Sequence, residues 1–355
     1  MPSKILDPRR HKNLQPATSL WNRYRPEAAP LRFKARSIPA ARRWQTATRR
    51  ELARTINLKL LQPVPPQPRR VELVDRGDYV REKIVIRTSA HTEMPVYVLK
   101  PAGARGRLPV VLALHGHGYG VKDIVGLWED GTDRDSADGY HKDFGVALCR
   151  AGFLVAAPEI SCFGERQTDF SKLGFAAPQP STCGHTAFLS FHLGASVIGL
   201  RVYDAMRLVD YLATRRDTDM KRLGAMGISG GGMHTFFSTC LDPRIRACVI
   251  SGYYCTFRDS VLAMSHCPCN FVPGLWRFGE MQDLVGLIAP RPVLVEAGDH
   301  DHIFPISAVR KAVSGARSVY GVFNAREAVQ TDYFEGRHQI SGEKAYGFLK
   351  AQLGA

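Results

Sequence analysis

The hydrophobic pattern of this chain changes near residue 100. Between residues 71 and 99, apolar and polar residues alternate in three short runs, which is typical of antiparallel strands. From about residue 109, short continuous apolar runs alternate with segments of helical period. A continuous apolar run is expected of a strand that is buried on both faces. The pattern therefore predicts an α/β fold, with a mostly parallel central sheet and helices on both of its faces.

The boundaries of the predicted elements follow from these runs. Antiparallel strands are predicted at 71–74, 79–87 and 94–99. Strands of the parallel sheet are predicted at 109–114, 153–157, 223–226, 247–251, 292–297 and 330–334. Helices are predicted at 144–151, 194–214, 232–241, from 307 onward, and at 342–353.

The N-terminal 69 residues differ in composition from the rest of the chain. Residues 1–40 are rich in Pro, Arg and Ala without a sustained period, which predicts an extended arm, and residues 40–61 have the spacing of an amphipathic helix. The first 50 residues hold thirteen Lys and Arg against two acidic residues. Such an arm could contact nucleic acid or an anionic membrane, but no nucleic-acid-binding signature accompanies it. We expect a poorly ordered or body-wrapping extension (1–69), no nucleic-acid partner, and a main domain over 70–355.

Length and composition limit the class of protein. With 355 residues, 45% of them hydrophobic, the chain can bury a large core. Its apolar runs are too short to span a bilayer, and its first residues lack the apolar region of a signal peptide. The eight cysteines lie mostly in apolar or helical segments, as reduced thiols do. We therefore expect a cytoplasmic protein without a membrane span, either a monomer or a homo-oligomer.

The most informative motif is the pentapeptide G-I-S-G-G at residues 227–231. It follows an apolar run at 223–226 and precedes a segment of helical character. Strand, G-x-S-x-G and helix in this order form a sharp turn that exposes a serine hydroxyl at the edge of a sheet. Ser229 is therefore the candidate nucleophile.

A serine nucleophile needs an imidazole base, which a carboxylate orients. In a parallel sheet of this kind the acid and the histidine follow the serine along the chain, each on a loop after a later strand. The strand at 330–334 is followed by His338, the predicted base. The strand at 292–297 is followed by both Asp299 and Asp301. Asp301 is preferred because it lies in the middle of its loop, whereas Asp299 could instead stabilise the turn.

The site also needs donors for the oxyanion that forms during acyl transfer. Residues 115–118 read H-G-H-G and follow the first strand of the parallel sheet, where this topology places one donor. The backbone N–H groups of His117 and Gly230 are the predicted pair. Both roles belong to the backbone and not to the side chains.

Other candidate residues are weaker. The segment 252–280 is rich in aromatic residues and is either a cap over the pocket or simply buried. Glu165 and Arg166 either line the pocket or form a surface ion pair. The C-x-C pair at 267–269 lacks the second pair of a structural zinc site, so no metal is expected. The candidate pocket residues are His115, Glu165, Arg166, Tyr253 and Trp276.

Several motifs in the same order resemble those of the α/β-hydrolase superfamily, in particular its dienelactone-hydrolase-like and acetyl-xylan-esterase-like branch. The matching segments are H-G-H-G at 115–118, A-P-E at 157–159, F-G-E-R at 163–166, G-I-S-G-G at 227–231, L-D-P-R-I at 241–245, I-A-P-R-P at 288–292, and 298–305 with Asp301. The resemblance spans about residues 70–353. Glu159 departs from it, since many relatives have Asp there, and dienelactone hydrolase itself uses cysteine as the nucleophile.

The resemblance implies a Ser-His-Asp hydrolase that acts on a small carboxylic ester, without a metal or an organic cofactor. It implies a short acyl group such as acetyl. A peptidase or a thioesterase of the same fold is the alternative.

Overall fold

The computed structural model describes residues 5–170 and 182–355. Its nine strands form one sheet in the order β1-β2-β3-β5-β4-β6-β7-β8-β9. The strands are β1 (Arg69–Asp75), β2 (Tyr79–Ser89), β3 (Thr92–Pro101), β4 (Leu108–Leu114), β5 (Leu154–Pro158), β6 (Thr218–Ile228), β7 (Ala247–Ser251), β8 (Val293–Gly298) and β9 (Val329–Phe334). The α-helices of the described residues are α1 (Pro16–Arg23), α2 (Ile38–Thr55), α3 (Phe144–Arg150), α4 (Cys183–His192), α5 (Val197–Leu212), α6 (Gly230–Leu241), α7 (Met281–Leu284), α8 (Ile306–Gly321) and α9 (Ala345–Leu353).

The sheet has an antiparallel and a parallel part, as the hydrophobic pattern predicts. Strands β1, β2 and β3 pair antiparallel with one another, and β3 pairs antiparallel with β5. From β5 through β4 to β9 all pairs are parallel. Every residue of β5, β7 and β8 is buried, because helices cover both faces of the sheet there. The predicted α/β architecture is confirmed.

Residues 31–52 pack against the main body. Of these, Phe33, Ala41 and Leu52 are buried in the same hydrophobic cluster as α6 and α8. The backbone N–H of Leu31 donates to the carbonyl of Arg277, at 2.9 Å. These contacts join positions far apart in the sequence, so the local pattern of hydrophobic residues does not predict them. The boundary at residue 69 between an N-terminal segment and a main domain stays a prediction. The hydrophobic core contains residues from both sides of this boundary.

Several helices differ from those predicted from the sequence. Helix α1 lies within residues 1–40, a segment that we predict to be extended because its sequence has no sustained period. The helix predicted over 40–61 ends at Thr55, because Asn57 adopts a left-handed φ of 52°. The helix predicted over 194–214 begins at Val197, because the side chain of Ser196 caps it by accepting the N–H of Gly199 at 3.1 Å. The preceding helix α4 was missed.

The described residues contain no single helix with the length and apolar composition needed to cross a bilayer. Helices α4 and α5 meet these requirements only as a pair, with a bend of 98° between them.

A buried histidine on α6 makes the folded chain sensitive to acid. Burial lowers the pKa of His234 to about 3, whereas a histidine in an unfolded chain titrates near ~6.5. The unfolded chain therefore binds the proton first as the pH falls. Through His234, the free energy of unfolding therefore falls by about 1.4 kcal/mol for each pH unit below ~6.5, until the pH reaches the pKa of the folded state.

Replacing this histidine tests the effect. We expect His234→Gln to have a shallower decline of unfolding free energy than the wild type between about pH 6.5 and pH 4, by about 1.4 kcal/mol per pH unit. The glutamine amide can still donate to the carbonyl of Arg201, which the imidazole Nε2 contacts at 2.7 Å. Urea unfolding at a series of pH values measures the slope. The control is His192→Gln, which removes an exposed histidine, and an equal change of slope in both variants would contradict the assignment.

Candidate active site

Ser229 lies on a strained turn between β6 and α6. Its backbone has φ 57° and ψ −121°, a conformation that a residue with a side chain rarely adopts. The turn packs so closely on the end of β4 that a Cβ on Gly227 would lie 2.6 Å from the carbonyl oxygen of Leu114. A Cβ on Gly231 would lie 2.6 Å from the carbonyl oxygen of His115. The glycines of the G-x-S-x-G motif are therefore required by contact with a neighbouring strand.

His338 and Asp301 form a hydrogen-bonded pair. The imidazole Nδ1 and the carboxylate Oδ2 are 2.7 Å apart. The other carboxylate oxygen, Oδ1, accepts the backbone N–H groups of Ile303 at 2.8 Å and Phe304 at 3.1 Å. The side chain of Asp301 is only 1% exposed and is therefore shielded from water, and these three hydrogen bonds fix its position. The carboxylate can therefore fix both the position and the tautomer of the imidazole.

The structure distinguishes Asp299 from Asp301, the two candidates for the acid that orients the imidazole. Asp299 is 41% exposed and its carboxylate accepts the backbone N–H of Gly336 at 3.0 Å. It thus ties the loop after β8 to the loop that carries His338. Asp301 contacts the imidazole itself, as preferred from its position in the middle of the loop.

The imidazole of His338 stacks with two aromatic rings. The ring centroids are 5.4 Å apart for Tyr140 and 5.6 Å apart for Phe304. Such a stack restricts rotation of the imidazole. Phe304 is part of the predicted acid loop, but no sequence signal marks Tyr140, which precedes α3 in a turn far from the motifs.

The second nitrogen of His338 makes no hydrogen bond to Ser229 in the structure. Its Nε2 is buried and has no hydrogen-bond partner among the described residues. His338 and Ser229 line the same cavity, which has a volume of about 370 Å³. The cavity is lined by His117, Tyr140, Ser229, Gly230, Met264, Ser265, His266, Cys267, Asn270, Ile303, Phe304 and His338.

A buried glutamate supports the loop that carries His338. Glu296 on β8 is fully buried and accepts three hydrogen bonds, from the hydroxyl of Ser251 at 2.7 Å and from the backbone N–H groups of Ser341 at 3.1 Å and Gly342 at 2.9 Å. Burial raises the pKa of this carboxyl above its ordinary value. Glu296 joins the ends of β7 and β8 to the chain just after His338. Sequence reasoning missed it, because a single acidic residue within an apolar strand carries no motif.

The loop at 115–118 lies directly against the serine turn. A Cβ on Gly116 would lie 3.1 Å from the Cβ of Ser229, and a Cβ on Gly230 would lie 3.1 Å from Nδ1 of His117. Helix α6 begins at Gly230, and the first N–H groups of a helix have no acceptor within it. His117 and Gly230, the residues that carry the two predicted oxyanion donors, therefore lie close together beside Ser229.

A second histidine holds this loop in place. Nε2 of His141 accepts the backbone N–H of Gly116 at 2.8 Å, and its Nδ1 contacts Asp123 at 2.7 Å. Burial lowers the pKa of His141 below its ordinary value, which keeps the ring neutral and able to accept. The hydroxyl of Tyr140 donates to the carbonyl of His117. Together these contacts tie the loop of His117 to the turn before α3.

The five predicted pocket residues are not among those that line this cavity. His115 is buried behind the loop and accepts the N–H of Ile160 at 3.1 Å. Glu165 forms an ion pair with Lys83, at 2.8 Å. The remaining three also lie elsewhere: Arg166 pairs with Asp204, Tyr253 is buried in the core, and Trp276 lines a separate cavity of about 180 Å³.

The segment 252–280 contributes to the cavity through different residues than expected. Met264–Cys267 and Asn270 form part of its lining. Tyr253 and Tyr254 are each 1% exposed and belong to the hydrophobic core. Both interpretations of this segment hold for different parts of it, because its first residues continue from the buried strand β7 whereas its middle crosses above the edge of the sheet.

Comparison with known proteins agrees with this architecture. Residues 31–328 match the sequence family described as the Abhydrolase family. A protein of Bacillus subtilis (strain 168) named "Putative hydrolase YtaP" is 28% identical over 269 residues, which cover 73% of this chain and 81% of that protein.

Solved structures share the fold at low sequence identity. A structure from Bacteroides fragilis NCTC 9343, described as a "putative acetyl xylan esterase", has a TM-score of 0.74 and 17% identity, covering 90% of this chain and 82% of that one. A glucuronoyl esterase from Solibacter usitatus has a TM-score of 0.65 and 18% identity, covering 91% of this chain and 97% of that one. The family match extends over most of the sequence, and the parallel sheet with its strand–turn–helix serine agrees with it. The chain therefore belongs to the Abhydrolase family and is a hydrolase of the α/β-hydrolase fold.

Proposed function

We propose that this chain is a serine-dependent carboxylic ester hydrolase that acts on esters of short acyl groups. One observation carries the proposal: Ser229, on its strained turn, lines the same cavity as His338, whose Nδ1 is held by a buried aspartate and whose Nε2 has no hydrogen-bond partner within 5–170 and 182–355. A Ser-His-Asp triad uses these three groups, with Nε2 of the histidine as the base that takes the proton of the serine hydroxyl.

In the first half of the reaction, the hydroxyl oxygen of Ser229 attacks the ester carbonyl carbon. Nε2 of His338 takes the hydroxyl proton, and Asp301 stabilises the imidazolium that results. The carbonyl oxygen becomes an oxyanion, which accepts hydrogen bonds from the N–H groups of His117 and Gly230. Nε2 then gives its proton to the leaving alcohol as the ester C–O bond breaks, which leaves the acyl group on Ser229.

In the second half, water takes the place of the alcohol. Nε2 of His338 accepts a proton from the water as its oxygen attacks the acyl carbon. The same two N–H groups hold the second oxyanion. Collapse of this intermediate returns the proton from His338 to the oxygen of Ser229 and releases the carboxylic acid. All bonds and protons are balanced by the ester, one water and the three side chains.

The size of the cavity supports small substrates. Its volume of about 370 Å³ must hold both the acyl group and part of the alcohol, and it lies near the lower end of the range for ligand sites. The likeness to structures named as acetyl xylan and glucuronoyl esterases also supports an ester substrate. Since Met264 and Ile303 are each 38% exposed at its lining, the alcohol has an apolar surface to lie on.

Removal of the nucleophile tests the proposal directly. We expect Ser229→Ala to lower kcat for p-nitrophenyl acetate by at least about 10³-fold, because the acyl-enzyme can no longer form. A fluorophosphonate probe should add its mass to Ser229 in the wild type. Ser265 lines the same cavity and provides the control, since Ser265→Ala should keep the label and most of the activity. Labelling that persists in Ser229→Ala would refute the assignment of the nucleophile.

The two aspartates provide a matched pair for the acid. We expect Asp301→Asn to lower kcat by about 10²- to 10⁴-fold, because an amide cannot hold the required imidazole tautomer or stabilise its charge. Asp299→Asn changes a neighbouring exposed carboxylate that contacts a backbone N–H, so its loss should be far smaller. Steady-state kinetics with p-nitrophenyl acetate measure both variants. Equal losses would mean that the loop, and not the hydrogen bond to His338, matters for activity.

A substrate panel tests the type of bond and the acyl length. We expect kcat/KM to fall from acetyl to butyryl to octanoyl esters of p-nitrophenol, because the cavity cannot hold long chains beside the alcohol. An aminoacyl p-nitroanilide and an acyl thioester distinguish the peptidase and thioesterase alternatives, and Ser229→Ala corrects for background hydrolysis. A preference for octanoyl esters would contradict the short-acyl assignment, and turnover of the anilide alone would contradict an esterase.

A further inference from the structure

Four side chains from three parts of the chain meet beside the cavity. His117 follows β4, Cys183 begins α4, and Cys267 and Cys269 belong to segment 252–280. One Nδ1 or Nε2 atom of the histidine and the three Sγ atoms all lie within 4.8 Å of one another. The sequence shows the C-x-C pair alone, whereas the fold supplies two further ligand atoms from positions about 85 and 150 residues away.

The distances fit a single tetrahedral ion. With Zn–S bonds of about 2.3 Å and Zn–N bonds of about 2.0 Å, the ligand atoms of a tetrahedral zinc site lie roughly 3.5–3.8 Å apart. The observed distance between Sγ of Cys269 and Nε2 of His117 is 3.7 Å. A small movement of side chains is enough to bring the four atoms onto one ion.

The charge of the surroundings favours an occupied site. Arg201 on α5 is 1% exposed, and its Nη2 is 3.4 Å from Sγ of Cys183. Its Nη2 also donates to the carbonyl of Ser161 at 3.4 Å. In the described part of the chain, its Nε and Nη1 have no hydrogen-bond partner and the guanidinium forms no ion pair with a carboxylate. A buried arginine without a counter-ion is costly. The nearby ring of Phe163, 5.6 Å from the guanidinium carbon, compensates only part of this cost.

A metal-bound cysteine cluster would supply the missing negative charge. Cysteine binds zinc as a thiolate, so three thiolates with one Zn²⁺ carry one net negative charge. This balances the single positive charge of Arg201. Three neutral thiols would leave the guanidinium uncompensated.

We propose that Nε2 of His117 and the Sγ atoms of Cys183, Cys267 and Cys269 bind one Zn²⁺ ion. Three sulfur ligands and one imidazole favour zinc among the common divalent ions. All four positions are filled by the protein, which is typical of a structural site and leaves none for a substrate. The ion joins the loop of His117 to α4 and to segment 252–280, which lines the cavity. The sequence-based expectation of no metal rested on an isolated C-x-C pair, and the tertiary structure removes that reason.

Metal analysis of the full chain tests the proposal. The protein is purified without a polyhistidine tag, and its metal content is measured by inductively coupled plasma mass spectrometry. We expect one zinc per chain, released when a mercurial reagent blocks the thiols. Chelator-treated protein refilled with Co²⁺ should show the sulfur-to-cobalt charge-transfer absorption and the intense visible bands of tetrahedral thiolate coordination.

Ligand variants locate the ion. We expect Cys267→Ser and Cys269→Ser to weaken zinc binding by at least about 100-fold in competition with a chromophoric chelator. Cys149→Ser is the matched control, because Cys149 is a buried free cysteine in a different hydrophobic cluster. Ser229→Ala should keep its zinc, which makes this proposal independent of the one on ester hydrolysis.

Several results would overturn the proposal. One is wild-type protein that holds no zinc as purified and gains neither Zn²⁺ nor the cobalt spectrum on refilling. Another is peptide mapping that finds a disulfide between two of the three cysteines in the native protein, and a third is iron with inorganic sulfide in place of zinc. Equal loss of zinc in Cys149→Ser and Cys267→Ser would also refute the site. If a ligand variant fails to fold, the metal content and cobalt spectrum of the wild type decide the question.

Discussion

The candidate site depends on the parallel register of strands β6 to β9. Parallel strands end at the same edge of a sheet, so the residues that follow their carboxyl ends share one edge. Ser229 follows β6, Asp301 follows β8 and His338 follows β9, although they are far apart in the sequence. Any shift in this register would move the histidine loop relative to the serine turn. The hydrogen bonds of Glu296 to Ser341 and Gly342 help to hold that alignment, since they join β8 directly to the chain after His338.

Close packing around the serine turn also maintains a strained backbone conformation. The strained backbone of Ser229 persists only because neighbouring groups leave no alternative position for it. The loop at 115–118 is one of these neighbours, and it is itself held by His141 and Tyr140 from the turn before α3. Tyr140 also stacks on His338. One aromatic residue thus contacts both the proposed base and the loop of a proposed oxyanion donor, which couples their positions.

The cysteine cluster adds further contacts to the same loop. His117 lines the cavity, its Nε2 is 3.7 Å from Sγ of Cys269, and its ring packs edge-on against Phe163 with ring centroids 5.0 Å apart. A metal ion at this position would hold the loop through the ring of His117, as His141 holds it through the backbone N–H of Gly116. It would also hold segment 252–280, which has few regular elements of its own, against the hydrolase core. Arg201 is then explained as the counter-charge of the cluster instead of an unpaired buried cation.

The sequence alone determined the order of the strands and of most helices, the serine turn, and the histidine and aspartate loops, because each of these has a local signature of periodicity or of glycine spacing. Helices α1 and α4 were not predicted from it. The sequence also narrowed the acid to two neighbouring aspartates, between which the hydrogen bond to His338 discriminates. Only the tertiary structure decided which side chains line the cavity, that Tyr140 and Glu296 support the site, and that distant cysteines converge on His117. These features depend on contacts between residues far apart in the chain, and such contacts leave no period or spacing in the sequence. For the same reason Glu165 and Trp276, which the sequence associated with the pocket, lie elsewhere: their place is set by the path of loops across the surface and not by their neighbours in the chain.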